Sequence, residues 1–124
     1  MGQVSAIPVA ADVLNPDLEV MALPDVAERL GLPVTRVHQL LRDGQLLAVR
    51  REGVLYVPAC FLGEEGVVKG LPGTITVLRD SGYSPDEILR WLFEEDETLP
   101  GSPIEALRGD RGREVKRRAQ ALAF

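Results

Sequence analysis

Apolar positions recur at helical spacing from Leu23 onward, and the breaks between these repeats divide the chain into short elements. In "PDVAERLG", Pro24 opens a helix whose Val26, Ala27 and Leu30 share one face, and Gly31 stops it. After the turn "GLP", the stretch "VTRVHQLLRDG" repeats the pattern, with Val34, Val37, Leu40 and Leu41 as its inner stripe and Gly44 as its end. The period then shortens. "LLAVRR" and "VLYVP" are β-rich runs on either side of "EG", which predicts a hairpin turning at Gly53. Two short helices joined by a tight turn and followed by a hairpin describe a winged helix-turn-helix.

The second half returns to the helical period. "LPGTITVLRDSG" carries Leu71, Ile75 and Leu78 and ends at Gly82. "SPDEILRWLFEED" opens with Ser84 as N-cap, Pro85 at the first helical position and Glu87 completing a capping box. Its Ile88, Leu89, Trp91, Leu92 and Phe93 are too apolar for a free-standing helix, which predicts docking on the wing domain or on a partner. After the break "LPGSP", Ser102 and Glu105 repeat the cap and open one or two last helices. The expected fold class is therefore mainly α with a small β-hairpin wing: a winged helix-turn-helix plus a C-terminal helical extension. Residues 1–20 contain Pro8, Asn15 and Pro16 without a sustained period and read as a flexible N-terminal arm. Residues 21–63 are expected to form the winged helix-turn-helix, and 64–124 the extension packed on it.

Composition narrows the function. A single cysteine, Cys60, leaves no internal disulfide and fits a reducing compartment. No apolar run reaches the ~18–20 residues needed to span a bilayer, and "MGQVSAIPVAADVL" lacks the basic and apolar regions of a signal peptide. The expectation is a cytoplasmic, nucleoid-associated protein. One histidine and one cysteine cannot build a His/Cys metal site, no phosphate-binding loop is present, and no carboxylates form a recognisable acid–base pair. The chain reads as a non-enzyme without metal or cofactor.

The chain is acidic, with 14 Lys+Arg against 19 Asp+Glu and a net charge of −5. Placement matters more than the total. With Val34, Val37, Leu40 and Leu41 inward, the second helix turns Thr35, Arg36, His38, Gln39 and Arg42 outward. An arginine can bridge a guanine edge, a glutamine can pair with adenine, and a threonine can reach a phosphate or a thymine methyl. Arg42 is better placed for the backbone, and Arg50 and Arg51 on the wing alternate in direction along a strand. Between Pro33 and Pro58 four arginines stand against Asp43 and Glu52, a local balance of +2, while acid concentrates in "EEDE" at 94–97. The expected partner is double-stranded DNA, with helix 34–43 in the major groove and the 46–58 hairpin as wing. A solvated helix face is the plain alternative.

The stretch "LPDVAERLGLPVTRVHQLLRDGQLLAVRREGVLYVP" resembles the helix-turn-helix of MerR-type and excisionase-type DNA-binding proteins. With "IPVAADVLNPD", "VVKGLPGTITVLRDSGY", "EILRWLF" and "REVKRRAQALAF", nearly the whole chain resembles an actinobacterial family of small winged helix-turn-helix DNA-binding proteins. The mycobacterial member of that family is a Ser/Thr-kinase substrate. The resemblance implies a transcriptional regulator and a phosphorylation target, with a Ser/Thr kinase as partner. It gives Thr35, Arg36, Gln39 and Arg42 the recognition role and Arg50 and Arg51 the wing role. Two features depart from the family pattern: the N-terminal arm has Ser5 but no threonine, and Pro33 stands where a serine N-cap is common.

A shorter resemblance concerns "WLFEEDETLPGSPIEALRGDRGREVKRRAQAL", which is similar to the toxin-binding region of Xre-type antitoxins. It implies a protein-interaction module acting through the C-terminal helices, with Trp91, Phe93, Arg113, Lys116 and Arg117 as partner-binding residues. The alternative is a helical buttress for the wing domain. The basic run from Arg108 to Arg118 likewise has three readings: a second phosphate surface, a counterpart of the acidic 94–97 segment, or a solvated face. No heptad seam is visible, so the chain is expected to be a monomer in solution.

Overall fold

A computed structural model of the protein describes residues 9–10, 14–99 and 101–122. Ser5, which the arm carries where the family pattern has a threonine, lies outside the described residues. Helix α1, Leu23–Leu30, takes Pro24 in its first turn and buries Leu23, Val26 and Ala27. Gly31 ends it at φ 68, a left-handed conformation in which its N–H reaches the carbonyls of Ala27 and Glu28. Helix α2, Val34–Arg42, follows α1 after three residues and buries Val37 and Leu41.

One expected member of the α2 stripe is not inside. Val34 is 39% exposed. As the first helical residue it has no preceding turn to lie over, and helical side chains tilt toward the N-terminus, so Val34 points off the end of the packed face. Leu40 is half-buried, at the stripe's edge.

The sheet is larger than a hairpin. Strands β3, Ala48–Arg51, and β4, Val54–Pro58, pair antiparallel as expected. Strand β1, Val9–Ala10, adds to β3 in parallel, and β2, Val20–Ala22, adds to β4 in antiparallel, giving the order β1-β3-β4-β2. Of the expected flexible arm over 1–20, residues 1–8 and 11–13 lie outside the described residues, while Val9–Ala10 and Val20 are paired in strands. The open backbone edges of β3 and β4 demand partners, and the segment before α1 supplies both. Between these strands, Leu14 is buried and the Asn15 side chain accepts from the Asp17 N–H at 2.9 Å.

A single 3₁₀ turn at Ala59–Phe61 leads into a small second hairpin, β5 at Leu62–Gly63 and β6 at Gly66–Val67. Among the described residues four more helices follow: α3, Leu71–Asp80; α4, Pro85–Phe93; α5, Pro103–Arg108; and α6, Gly112–Ala121. Both capping boxes form, Ser84 with Glu87 and Ser102 with Glu105. α3 packs on α6, α4 on α5 and β1, and α5 on α6.

The two halves share one core. Val26, Val37, Leu41, Leu46, Val49 and Val57 from the first half are continuous with Leu71, Ile75, Leu78, Ile88, Leu89 and Leu92 from the second. Phe61 sits at the join, fully buried, with its ring stacked on Phe93 at a centroid distance of 5.8 Å. The Arg108 guanidinium stitches α5 to the join by donating to the carbonyls of Cys60 at 2.8 Å and Leu62 at 2.9 Å. Among the described residues, no helix is long and apolar enough to cross a membrane.

Candidate nucleic-acid interface

Helix α2 presents the polar set on its outer side. Thr35, Arg36, Gln39 and Arg42 are exposed, and His38 is half-buried. Nine residues at 1.5 Å per residue make a helix of about 14 Å, close to the ~12 Å width of the major groove. Arg36, in the first turn, and Arg42, at the last helical residue, stand at opposite ends of that length. The N-terminus carries no side-chain cap, because Pro33 occupies the N-cap position. The Arg36 N–H donates to the Pro33 carbonyl at 2.9 Å, which leaves the N–H groups of Val34 and Thr35 to a phosphate or to solvent.

Gln39 is not idle. Its Nε2 donates to the Asp43 carboxylate at 3.0 Å, one turn along. The bond restrains both side chains and uses one of the two Nε2 hydrogens, so the second hydrogen and the Oε1 acceptor are left for a base. Asp43 is the C-cap, and Gly44 follows at φ 75. From the second half of the chain, Arg79 on α3 reaches this end, its Nη1 lying 3.5 Å from the Asp43 carbonyl oxygen. Sequence reasoning missed that contact. No pattern links residues 36 positions apart, and Arg79 looks like one more cation in the last turn of a helix.

The wing ends in a two-residue loop. Arg51 pairs with Val54, while Glu52 at φ 52 and Gly53 at φ 80 turn the chain. Positive φ at both central residues is the mirror-image turn that matches strand twist. Strand alternation places Arg50 and Arg51 on opposite faces, but their long side chains border one shallow hollow with Pro16, Val20 and Tyr56. Arg50 is exposed and bends back so that Nη1 lies 3.4 Å from the Gly53 carbonyl. Arg51 is half-buried and donates to the Asn15 carbonyl at 3.2 Å, which ties the wing to the segment ahead of β2.

The expected partner-binding residues do not behave as one group. Trp91 and Phe93 are both half-buried, and Phe93 is stacked on Phe61 inside the join. Arg113 and Lys116 are exposed, whereas Arg117 pairs with Glu114 at 3.2 Å. Arg118 bridges Glu114 at 3.0 Å and Asp96 at 2.9 Å, so part of the basic run does answer the acidic 94–97 segment. Hydrogen bonds from the Thr98 hydroxyl and N–H, with Arg118 adding to them, hold the Asp96 carboxyl below its usual range. Cys60 is half-buried, and burial pushes its thiol up against the opposing pull of Arg108. Among the described residues, no group of His, Cys, Asp and Glu could hold a metal ion.

Comparison with known proteins agrees with this architecture. Residues 6–62 match the family described as "DNA-binding protein Rv2175c, wHTH domain", and residues 68–123 match "Rv2175c C-terminal domain of unknown function". The chain is 47% identical, over its whole length and 94% of the relative's, to the DNA-binding protein Rv2175c of Mycobacterium tuberculosis. It also superposes on the NMR structure of Rv2175c with a TM-score of 0.84 at 42% identity, covering the whole of this chain and 98% of that one. The chain belongs to the Rv2175c family, with that family's winged helix-turn-helix domain followed by its C-terminal domain.

Proposed function

We propose that this protein binds double-stranded DNA through α2 in the major groove, with the β3–β4 hairpin as a wing, and that it acts as a transcriptional regulator. The observation that carries the reading is the outer face of α2, where Arg36 and Arg42 are exposed at the two ends of a groove-length helix on a winged helix-turn-helix scaffold. The relative's description as a DNA-binding protein supports it. Arg36 and Thr35 are assigned to base edges, with Gln39 and His38 beside them and Arg42 on a phosphate. On the wing, Arg50 is the backbone contact and Arg51 chiefly holds the wing to the residue-15 turn.

Binding of this kind is strongly salt-dependent, because each neutralised phosphate releases counterions. With about 3–5 phosphate contacts, log affinity falls with log salt at a slope of roughly −3 to −5. The test is a fluorescence-anisotropy titration of a mixed-sequence duplex at several salt concentrations, with the Arg36→Ala/Arg42→Ala double variant alongside. The wild type is expected to bind with that slope and the double variant to lose most of the binding. Equal binding by the two proteins removes the helix from the interface.

A second reading has one observation behind it. Trp91, Leu99, Pro103 and Leu122 line a cleft rimmed by Glu94 and Glu95, and Leu122 is 42% exposed. This is the region that resembles an antitoxin's partner-binding surface. Trp91→Ala separates the two readings: DNA binding stays intact on the first, and a co-purifying protein partner is lost on the second.

A further inference from the structure

Helix α3 belongs to the C-terminal domain, yet its last turn delivers a guanidinium to the end of the recognition helix. Arg79 Nη1 lies 3.5 Å from the Asp43 carbonyl oxygen, and the guanidinium sits over Gly44. A side chain at Gly44 would collide with it, so the glycine both ends α2 in the left-handed conformation and leaves the space that Arg79 fills. Asp43 and Gly44 follow directly on Arg42. In homeodomains, a helix-turn-helix variant, the C-terminal end of the recognition helix contacts the sugar–phosphate backbone.

The electrostatics of that end call for a cation. The last carbonyls of α2 carry the negative pole of the helix, and the Asp43 carboxylate adds a full charge, answered only in part by the Gln39 amide. Both would repel a phosphate. Arg79 offsets them from its place at the Asp43 carbonyl. Its bond to Asp43 is at the outer limit of hydrogen-bond length and is solvent-exposed, so it anchors the side chain weakly. A guanidinium has five donors in a fork suited to phosphate, and this one faces solvent.

We propose that Arg79 is a DNA-phosphate contact supplied by the C-terminal domain. The binding surface is then composite: α2, the β3–β4 wing and the C-terminal end of α3. The inference rests on the DNA-binding reading above and gives the C-terminal domain a direct share in it.

The experiment uses the full chain and an approximately 20-base-pair mixed-sequence duplex, titrated by anisotropy from about 50 to 200 mM salt. Arg79→Gln keeps a donor for Asp43 but removes the charge; Arg79→Lys keeps the charge. Arg90→Ala, an exposed arginine on α4, is the matched control. Arg79→Gln is expected to weaken binding roughly three- to tenfold at the low-salt end and to reduce the magnitude of the slope by about 0.9, the value of one phosphate contact. Arg79→Lys is expected to retain the slope, and Arg90→Ala to bind as the wild type does. A slope unchanged in Arg79→Gln overturns the proposal, whether affinity is intact or falls equally at every salt concentration, because the residue then acts on helix position alone. If Arg36→Ala/Arg42→Ala loses binding in the same series while Arg79→Gln does not, only this inference fails. If neither variant differs from wild type, the DNA-binding reading fails with it.

Discussion

Glu52 occupies a conformation that glycine, asparagine and aspartate adopt far more readily, φ 52 at the tip of the wing. For a residue with a β-carbon and a long side chain, the left-handed region costs roughly 1–2 kcal/mol. The turn tolerates it because Gly53 takes the second left-handed position and the strands on both sides are paired. Glu52→Asn should therefore raise stability by roughly 0.5–1 kcal/mol, read as an increase of a few degrees in melting temperature. It also removes a carboxylate next to Arg50 and Arg51, so affinity for DNA should rise in the same variant, most visibly at low salt. A lower melting temperature would mean that the carboxylate stabilises the turn. The residue scale is also where sequence reasoning failed at Val34: helical periodicity assigns a face, but it does not know that the first residue of a helix has no neighbouring turn to cover.

Helix α4 shows what an element needs beyond its pattern. The Ser84 hydroxyl accepts from the Glu87 N–H at 3.3 Å, and the Glu87 carboxylate accepts from the Ser84 N–H at 2.8 Å. Ser84→Ala breaks the first bond and should cost about 1 kcal/mol, measured as a lower urea midpoint with an unchanged denaturant slope. No shift in midpoint would mean that packing of Ile88, Leu89 and Leu92 alone fixes the start of the helix. Elements with such signals were legible in the sequence: α1, α2 and the capped helices lie close to where periodicity, proline and glycine put them. Strands β1 and β2 were not, because two or three residues hold no period, and their reason for existing is the unpaired edge of another strand. The hairpin β5–β6 was missed likewise, since "LGEEGV" pairs only two residues on each side. For the candidate interface, exposure of Thr35, Arg36, Gln39 and Arg42 followed from the helical pattern. The tie between Arg51 and Asn15 and the approach of Arg79 to Asp43 are long-range and left no local trace.

At the scale of the whole molecule, the family divides this chain into two matched parts, 6–62 and 68–123, but the packing does not. Phe61 and Leu62, in the first part, are fully buried, and Phe61 stacks on Phe93 of the second. Arg108 closes two main-chain carbonyls of the first part from α5, and β1 lies against α4. Cutting between the parts would expose a contiguous apolar surface on each side, and neither part has spare residues to cover it. Such a shared core predicts a single cooperative unfolding transition. Two probes test this, one in each part. Trp91 is the single tryptophan and reports the C-terminal domain by its fluorescence, while Cys60 is the single cysteine and reports the end of the winged domain by its alkylation. The native thiol is half-buried and its deprotonation is opposed by burial, so alkylation should be slow until unfolding frees it. The fluorescence and alkylation curves are expected to coincide in urea, with one midpoint. If alkylation accelerates well before the Trp91 signal moves, the winged domain opens on its own, and the contacts of Phe93 and Arg108 across the join do not couple the two parts.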